Sequence, residues 1–327
     1  MGKMFHWSGI NALSPLGESG QYVRILAYHR IIDVNAGFLF DEDLVSASRE
    51  EFDRQLRFVK ANFTVVPLGE LDAATQQGRG RERLCVITFD DGFDDVYHNA
   101  FPLLKAHGLP ATLFVTTDLV GRKEIIWFDW VVKMLKDNQG KRLTLNNGEF
   151  SEVVEKATHR RMLDYLKTVP DRTRIETIEA MERIFGCVQP VDGHPDSRML
   201  TWQMLQEMSR DGLEIGSHTC SHPLLRQLDS NNLNHELMNS KLSIERNLNV
   251  QCRSFAYPVG GSNGFSRDLA KAVSEAGYLH ACDYRGGVND RKKLDRYALR
   301  RIHVEKEIDY AYFCSRLCYP KLFSYFQ

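Results

Sequence analysis

Leu84-Cys85-Val86-Ile87-Thr88-Phe89-Asp90-Asp91-Gly92 is an apolar run that stops at two adjacent carboxylates and a glycine. A stretch as short and apolar as Leu84–Thr88 predicts a strand buried on both faces, as in a parallel sheet. Gly92 permits a tight turn directly after it. Adjacent residues leaving a strand point in different directions, so one carboxylate can bind a cation while its neighbour faces a reacting centre. Two buried, unpaired carboxylates this close would repel, and a bound divalent cation removes that difficulty. Taken alone, the same letters also describe a solvated surface turn.

Six further runs resemble the first: Arg24–Tyr28, Thr112–Val115, Leu213–Gly216, Ser254–Tyr257, Leu279–Cys282 and Leu299–His303. Amphipathic helical patterns fall between them. One begins at Ser48 with Glu51 three residues on, a capping-box spacing. Others start near Thr201, Ser230 and Ser266, the first stopping at Gly212 and the last at Gly277. Strand and helix in alternation predict right-handed βαβ units. Seven such strands suit a closed or distorted barrel better than an open sheet.

The alternation breaks between residues 126 and 198, where charged helical patterns over Trp127–Lys136, Phe150–Thr168 and Arg172–Phe185 predict a helical insertion. It reads either as a lid or as packing helices with no direct role. The division expected is an N-terminal extension over 1–22, a barrel over 23–304 and an aromatic tail over 305–327. In that tail Tyr310, Tyr312, Phe313, Tyr319, Phe323, Tyr325 and Phe326 are interspersed with Arg316 and Lys321. Core or subunit packing is its simplest role; interfacial membrane contact is the alternative.

Two more motifs carry chemistry. His218-Thr219-Cys220-Ser221-His222 follows a strand-like segment, and histidines four apart on one helical turn can meet one metal. With an aspartate from another strand end they make a carboxylate–imidazole site with room for water. That donor set favours zinc or a similar borderline ion and is typical of catalytic sites. In Phe255-Ala256-Tyr257-Pro258-Val259-Gly260-Gly261 a strand enters a proline corner followed by glycines. A main-chain N–H there could point at a ligand oxygen. Each motif alone also fits surface histidines or an ordinary loop.

In this order, TFDDG, HTCSH and FAYPVG resemble the polysaccharide deacetylases (the NodB homology domain, carbohydrate esterase family four). The likeness covers roughly Arg24 to Val304, broken by the insertion. Ala27-Tyr28-His29-Arg30 also looks like the first strand of bacterial members acting on exopolysaccharides. The resemblance implies a distorted (β/α)7 barrel with a metal at the carboxyl ends of the strands. Every chemical residue singled out above follows a strand, where barrel enzymes carry their sites.

Carried over by resemblance, Asp91, His218 and His222 bind Zn2+ or another divalent transition metal, and Asp90 is the general base. Metal-bound water attacks the amide carbonyl, and the oxyanion is held by the metal and a backbone N–H near Val259, with Tyr257 and Pro258 beside it. The general acid in such enzymes is a histidine on the last strand. His303 occupies that neighbourhood, and His29 is a second candidate for the pocket. Two departures stand out. Ala256 takes the place of the arginine that orients the base, so that support comes from elsewhere or is absent. The usual final Asp-x-x-Asp-Trp motif is not recognisable, although Asp283 and Asp290 lie in its region.

The function expected is removal of N-acetyl groups from an amino sugar in a polysaccharide, oligosaccharide or glycolipid. The alternatives are hydrolysis of a small cyclic amide or ureide, and glycan binding without turnover. A net charge of -1 over 327 residues argues against nucleic acid as a partner. No apolar stretch reaches transmembrane length, and the first residues lack the apolar core of a secretory signal. Seven scattered cysteines fit reduced thiols, Cys314 and Cys318 being helix-spaced. The expected location is therefore the cytoplasm, or peripherally the inner face of the membrane.

Overall fold

In the computed structural model, residues 20–320 are described, except 36, 78–81, 146–147, 149 and 261–263. The proposed N-terminal extension before residue 20, Gly261, and the tail residues Lys321, Phe323, Tyr325 and Phe326 lie outside the described residues.

Seven parallel strands form a closed ring: β1 (Tyr22–Tyr28), β2 (Leu84–Phe89), β3 (Thr112–Val115), β4 (Glu214–Ser217), β5 (Ser254–Ala256), β6 (His280–Gly286) and β7 (Leu299–His303). β1 closes the barrel by pairing with β2 on one side and β7 on the other. Each apolar run read from the sequence is one of these strands, shifted by at most a few residues. Alternate side chains fill the interior: Val23 and Ile25, Leu84 and Val86, Phe114, Ala256, Cys282 and Leu299 share one apolar cluster. Their neighbours Leu26, Ile87, Leu113, Ile215 and Phe255 face the helices instead.

Local sequence sets the helix starts. The Ser48 side chain accepts from Glu51 N at the head of α1 (Arg49–Asn62), and Thr201 and Ser266 cap their helices in the same way. The helix starting at Ser230 is capped one residue earlier, by Asp229. After β7 the chain continues into a last helix, Tyr310–Cys318. Phe313 and Leu317 are buried there, Phe58 of α1 packs on Tyr310 and Phe313, and Arg24 Nε donates to Leu317 O. The described part of the aromatic tail thus covers the barrel wall, and these rings face protein. Cys314 and Cys318 are buried on this helix, where burial pushes the Cys314 thiol up to about 12. No helix among the described residues is long and apolar enough to cross a membrane.

Between β3 and β4 the insertion builds its own core from helices Trp127–Asp137, Thr158–Leu166 and Asp171–Phe185. The helix expected over Phe150–Thr168 is in fact two elements. Phe150–Val153 pairs antiparallel with Arg142–Leu145 as a hairpin, and the helix begins only at Thr158. Over Phe150–Val153 half-buried and exposed residues alternate with a period of two, a strand pattern, as buried and exposed ones do in its partner Arg142–Leu145.

A buried polar cluster docks this insertion on the barrel. Arg30 Nε donates to Asp95 at 2.8 Å while its Nη1 lies 4.0 Å from Asp129, which accepts from Asp41 N and Ser197 Oγ. Burial dominates at Asp129 and pushes its carboxyl up to about 7 despite Arg30. A carboxyl whose folded pKa lies above its unfolded value of about 3.9 binds protons more tightly when folded. Its contribution is therefore fully present below pH ~4 and is lost as pH rises towards 7. Asp129→Asn is expected to match the native protein at pH 4 and to exceed its stability at pH 8 by about 1–3 kcal/mol. Urea titrations at both pH values check this; an equal difference at each would contradict it.

Candidate metal centre and catalytic cleft

Strand register brings the chemical residues to one end of the barrel. Tyr28 pairs with Phe89, Phe89 with Leu113 and Leu113 with Ile215, so Asp91, two residues beyond Phe89, comes level with Ser217, the residue before His218. Asp91 Oδ1 stands 3.5 Å from His218 Nε2 and 3.5 Å from His222 Nε2. All three residues are buried, and their candidate donor atoms lie within 4.8 Å of one another. Two ligands about 2.0–2.1 Å from a tetrahedral zinc stand about 3.4 Å apart, so the spacing suits such an ion.

The donor chemistry fits as well. His218 Nδ1 faces Ala256 O at 2.8 Å, which fixes the tautomer leaving Nε2 a free lone pair. Burial, with the neighbouring His218, pushes the His222 imidazole down to about 3, so it is neutral, as a ligand must be. Asp91 Oδ2 is buried without a hydrogen-bond partner among the described residues, a cost that a cation at this carboxylate would offset.

The histidines do not sit on a helical turn, as their spacing predicted. Thr219 and His222 have φ of 70° and 58°, and Asp91 has 72°. Of the four described non-glycine residues with positive φ, three are therefore in these two loops, a concentration that fits a functional site. The His218–His222 loop is tied down instead by Glu236, from the helix Ser230–Leu248. Its carboxylate accepts from Cys220 N at 2.7 Å, Ser221 N at 3.1 Å and Ser221 Oγ at 2.7 Å. No sequence motif flagged Glu236. Glu236→Ala is expected to weaken cation binding by about 10–100-fold, measured by calorimetric titration of the metal-stripped protein. An unaltered affinity would show that the loop holds its shape without this clamp.

Asp90 faces the barrel axis, continuing the inward series Leu84, Val86, Thr88. Both its oxygens receive Arg301: Nη1 to Oδ1 and Nη2 to Oδ2, each at 2.7 Å. Burial would raise this carboxyl, but the Arg301 guanidinium prevails and holds it well below the ordinary carboxylate range. Arg301 Nε donates in turn to Asp283 O, and the Asp283 carboxylate is paired with Arg285. The support missing at Ala256 therefore comes from β7. Leu299, Arg301 and His303 alternate along that strand, so the inward position of Arg301 follows from the pleat.

A cleft of about 350 Å3 opens over these groups, with His29, Tyr284, Pro258 and Val259 along one side. His29 Nε2 lies 3.9 Å from Asp90 Oδ2. Gly260 is required here: a Cβ would come within 2.4 Å of Tyr284 Cβ. The insertion supplies the opposite wall. Phe128 packs edge-on against His222, Trp127 Nε1 donates to His222 O at 3.1 Å, and Leu163 lines the cleft. Exposed Arg160 and Asp164 stand at the rim.

Two residues assigned from sequence are placed elsewhere. Tyr257 does not reach the cleft: it follows inward Ala256, so the pleat turns it towards the helices. Its N–H donates to Cys282 O and its hydroxyl to Tyr297 O. His303 is stacked on Tyr284, with centroids 3.9 Å apart and planes 13° apart. Its Nε2 is buried without a partner among the described residues. Burial, reinforced by Arg301, pushes its imidazole down to about 3, so the ring is uncharged near neutral pH.

The closed (β/α)7 ring with a carboxylate and two imidazoles at the strand ends defines a barrel protein built around a potential cation site. Residues 77–281 match the family model described as polysaccharide deacetylase, and the chain belongs to that family. YxkH of Bacillus subtilis (strain 168), named for the same family, is 23% identical over 282 residues, covering 86% of this chain and 70% of that protein. The poly-beta-1,6-N-acetyl-D-glucosamine N-deacetylase of Staphylococcus aureus (strain MSSA476) is 32% identical over 89 residues. That match spans 27% of this chain and 31% of the staphylococcal enzyme. Among solved structures, the Streptococcus pyogenes deacetylase PplD in complex with acetate superposes with a TM-score of 0.61 at 18% identity. The alignment covers 90% of this chain and 98% of PplD. IcaB from Ammonifex degensii gives 0.56 at 18% identity, over 92% and 98% of the two chains. These likenesses establish the shared fold.

Proposed function

We propose that the protein is a metal-dependent N-deacetylase acting on an N-acetylated amino sugar within a polysaccharide, oligosaccharide or glycolipid. The observation that carries this is the Asp91, His218 and His222 cluster, with Asp91 and His222 lining the cleft, and a separate carboxylate, Asp90, 3.9 Å from His29, which lines the same cleft. A divalent cation held by the three would polarise the acetamide carbonyl and acidify water. Asp90 then serves as the base, taking a proton from the attacking water while Arg301 fixes its orientation. The Val259 N–H is the proposed donor to the oxygen that becomes negative. The carbon–nitrogen bond breaks to give acetate and a free amine, which leaves with a proton from His29. His29 is preferred to His303 because it opens into the cleft, whereas His303 is stacked away and kept neutral.

The substrate class follows from the family and from the cleft. Its exposed rim at Arg160 and Asp164 suits a sugar within a chain better than a small cyclic amide, which a sealed pocket would favour. The staphylococcal relative's activity on poly-N-acetylglucosamine supports the same class. Acetate release from N-acetylglucosamine oligomers by the zinc-loaded protein tests the reading. Turnover that chelation abolishes and zinc restores is expected. Acetate release that persists in the chelated protein would overturn the metal-dependent mechanism.

A further inference from the structure

A second and larger concavity, about 1010 Å3, lies on the same face of the barrel. We propose that this groove binds the sugars flanking the one being deacetylated, so that the protein grips a run of neutral or partly de-N-acetylated glycan. The inference rests on the deacetylase reading and extends it to substrate length.

The groove adjoins the catalytic cleft. One wall of the groove comes from residues 45–54, the other from residues 306–311, and both segments lie beyond the carboxyl ends of barrel strands. The residues immediately before each wall, Leu44 and Glu305, line the catalytic cleft. Where the two meet, Lys306 N donates to Val45 O at 3.0 Å and Lys306 pairs with Glu42. A sugar seated over the metal ligands would therefore direct its neighbours over this junction.

The Arg54 guanidinium carbon lies 3.7 Å over the centroid of the Tyr310 ring, and the Arg54 side chain is 53% exposed. Such a pair offers a flat face for a pyranose together with donors for its hydroxyls. The groove holds four carboxylates (Asp33, Glu51, Glu307, Asp309) against two cations, Arg54 and Lys306. That balance repels an anionic polysaccharide and accepts neutral sugars or the ammonium groups left by earlier turnover.

The test uses N-acetylglucosamine oligomers from the disaccharide to the hexasaccharide. Binding is measured calorimetrically on zinc-loaded Asp90→Asn protein, and acetate release on the zinc-loaded native enzyme. Affinity and kcat/KM are expected to rise with length. Arg54→Ala, and Asp33→Trp as a steric block from an exposed edge, should each lower the hexasaccharide values about tenfold and leave the disaccharide values unchanged. Equal values for all lengths, or equal losses on short and long chains, would overturn the groove proposal. Length-dependent binding that needs Arg54, with no acetate released by native enzyme from any oligomer, would instead remove the deacetylase reading and leave the groove standing.

Discussion

Replacing Arg301 with Met is expected to destabilise the protein by about 3–5 kcal/mol, because it strands the Asp90 carboxylate in the barrel interior. Both residues are almost fully buried, and the two 2.7 Å hydrogen bonds are what make the charge tolerable there. Activity should fall with it, since an unpaired Asp90 would be protonated or displaced. Adding Asp90→Asn to Arg301→Met removes the charge and should restore much of the lost stability without restoring turnover. Chemical denaturation of both single mutants and the double mutant measures the coupling. Additive losses would mean that the pair is not the support described here.

The second large effect concerns Asp90 alone. Asp90→Asn should lower kcat by about 10²–10⁴-fold, the range associated with a positioned base. Cation uptake should survive, because the ligand cluster comprises Asp91, His218 and His222 and excludes Asp90. The amide still accepts from Arg301, so a folded protein with a lower Tm is expected. This split between lost turnover and retained binding separates a base from a ligand. Loss of both together would place Asp90 among the ligands.

The sequence revealed what depends on local pattern. All seven barrel strands were legible because each is a short apolar run, and the position of Asp90, Asp91 and the histidines at strand ends followed directly. The histidine spacing was a correct signal read with the wrong geometry. The turn is shaped by Glu236, 14 residues beyond His222, and by left-handed backbone at Thr219 and His222, which no periodicity reports. Arg301 was passed over because its partner is 211 residues away, although strand alternation already placed it beside the barrel axis. The same alternation argues against Tyr257 as a cleft residue, since it follows inward-facing Ala256. The cleft wall built from Trp127 and Phe128 depends on how the insertion folds back, a tertiary fact that its helical pattern does not contain.

The proposed chemistry depends on Asp91, His218 and His222 holding one cation. Calorimetric titration of the metal-stripped protein with zinc, alongside Asp91→Ala and His218→Ala, tests it most directly. One tight site in the native chain is expected, lost in either variant, with the fold retained by circular dichroism. Native protein that takes up no zinc, or variants that bind it as tightly as native, would contradict it.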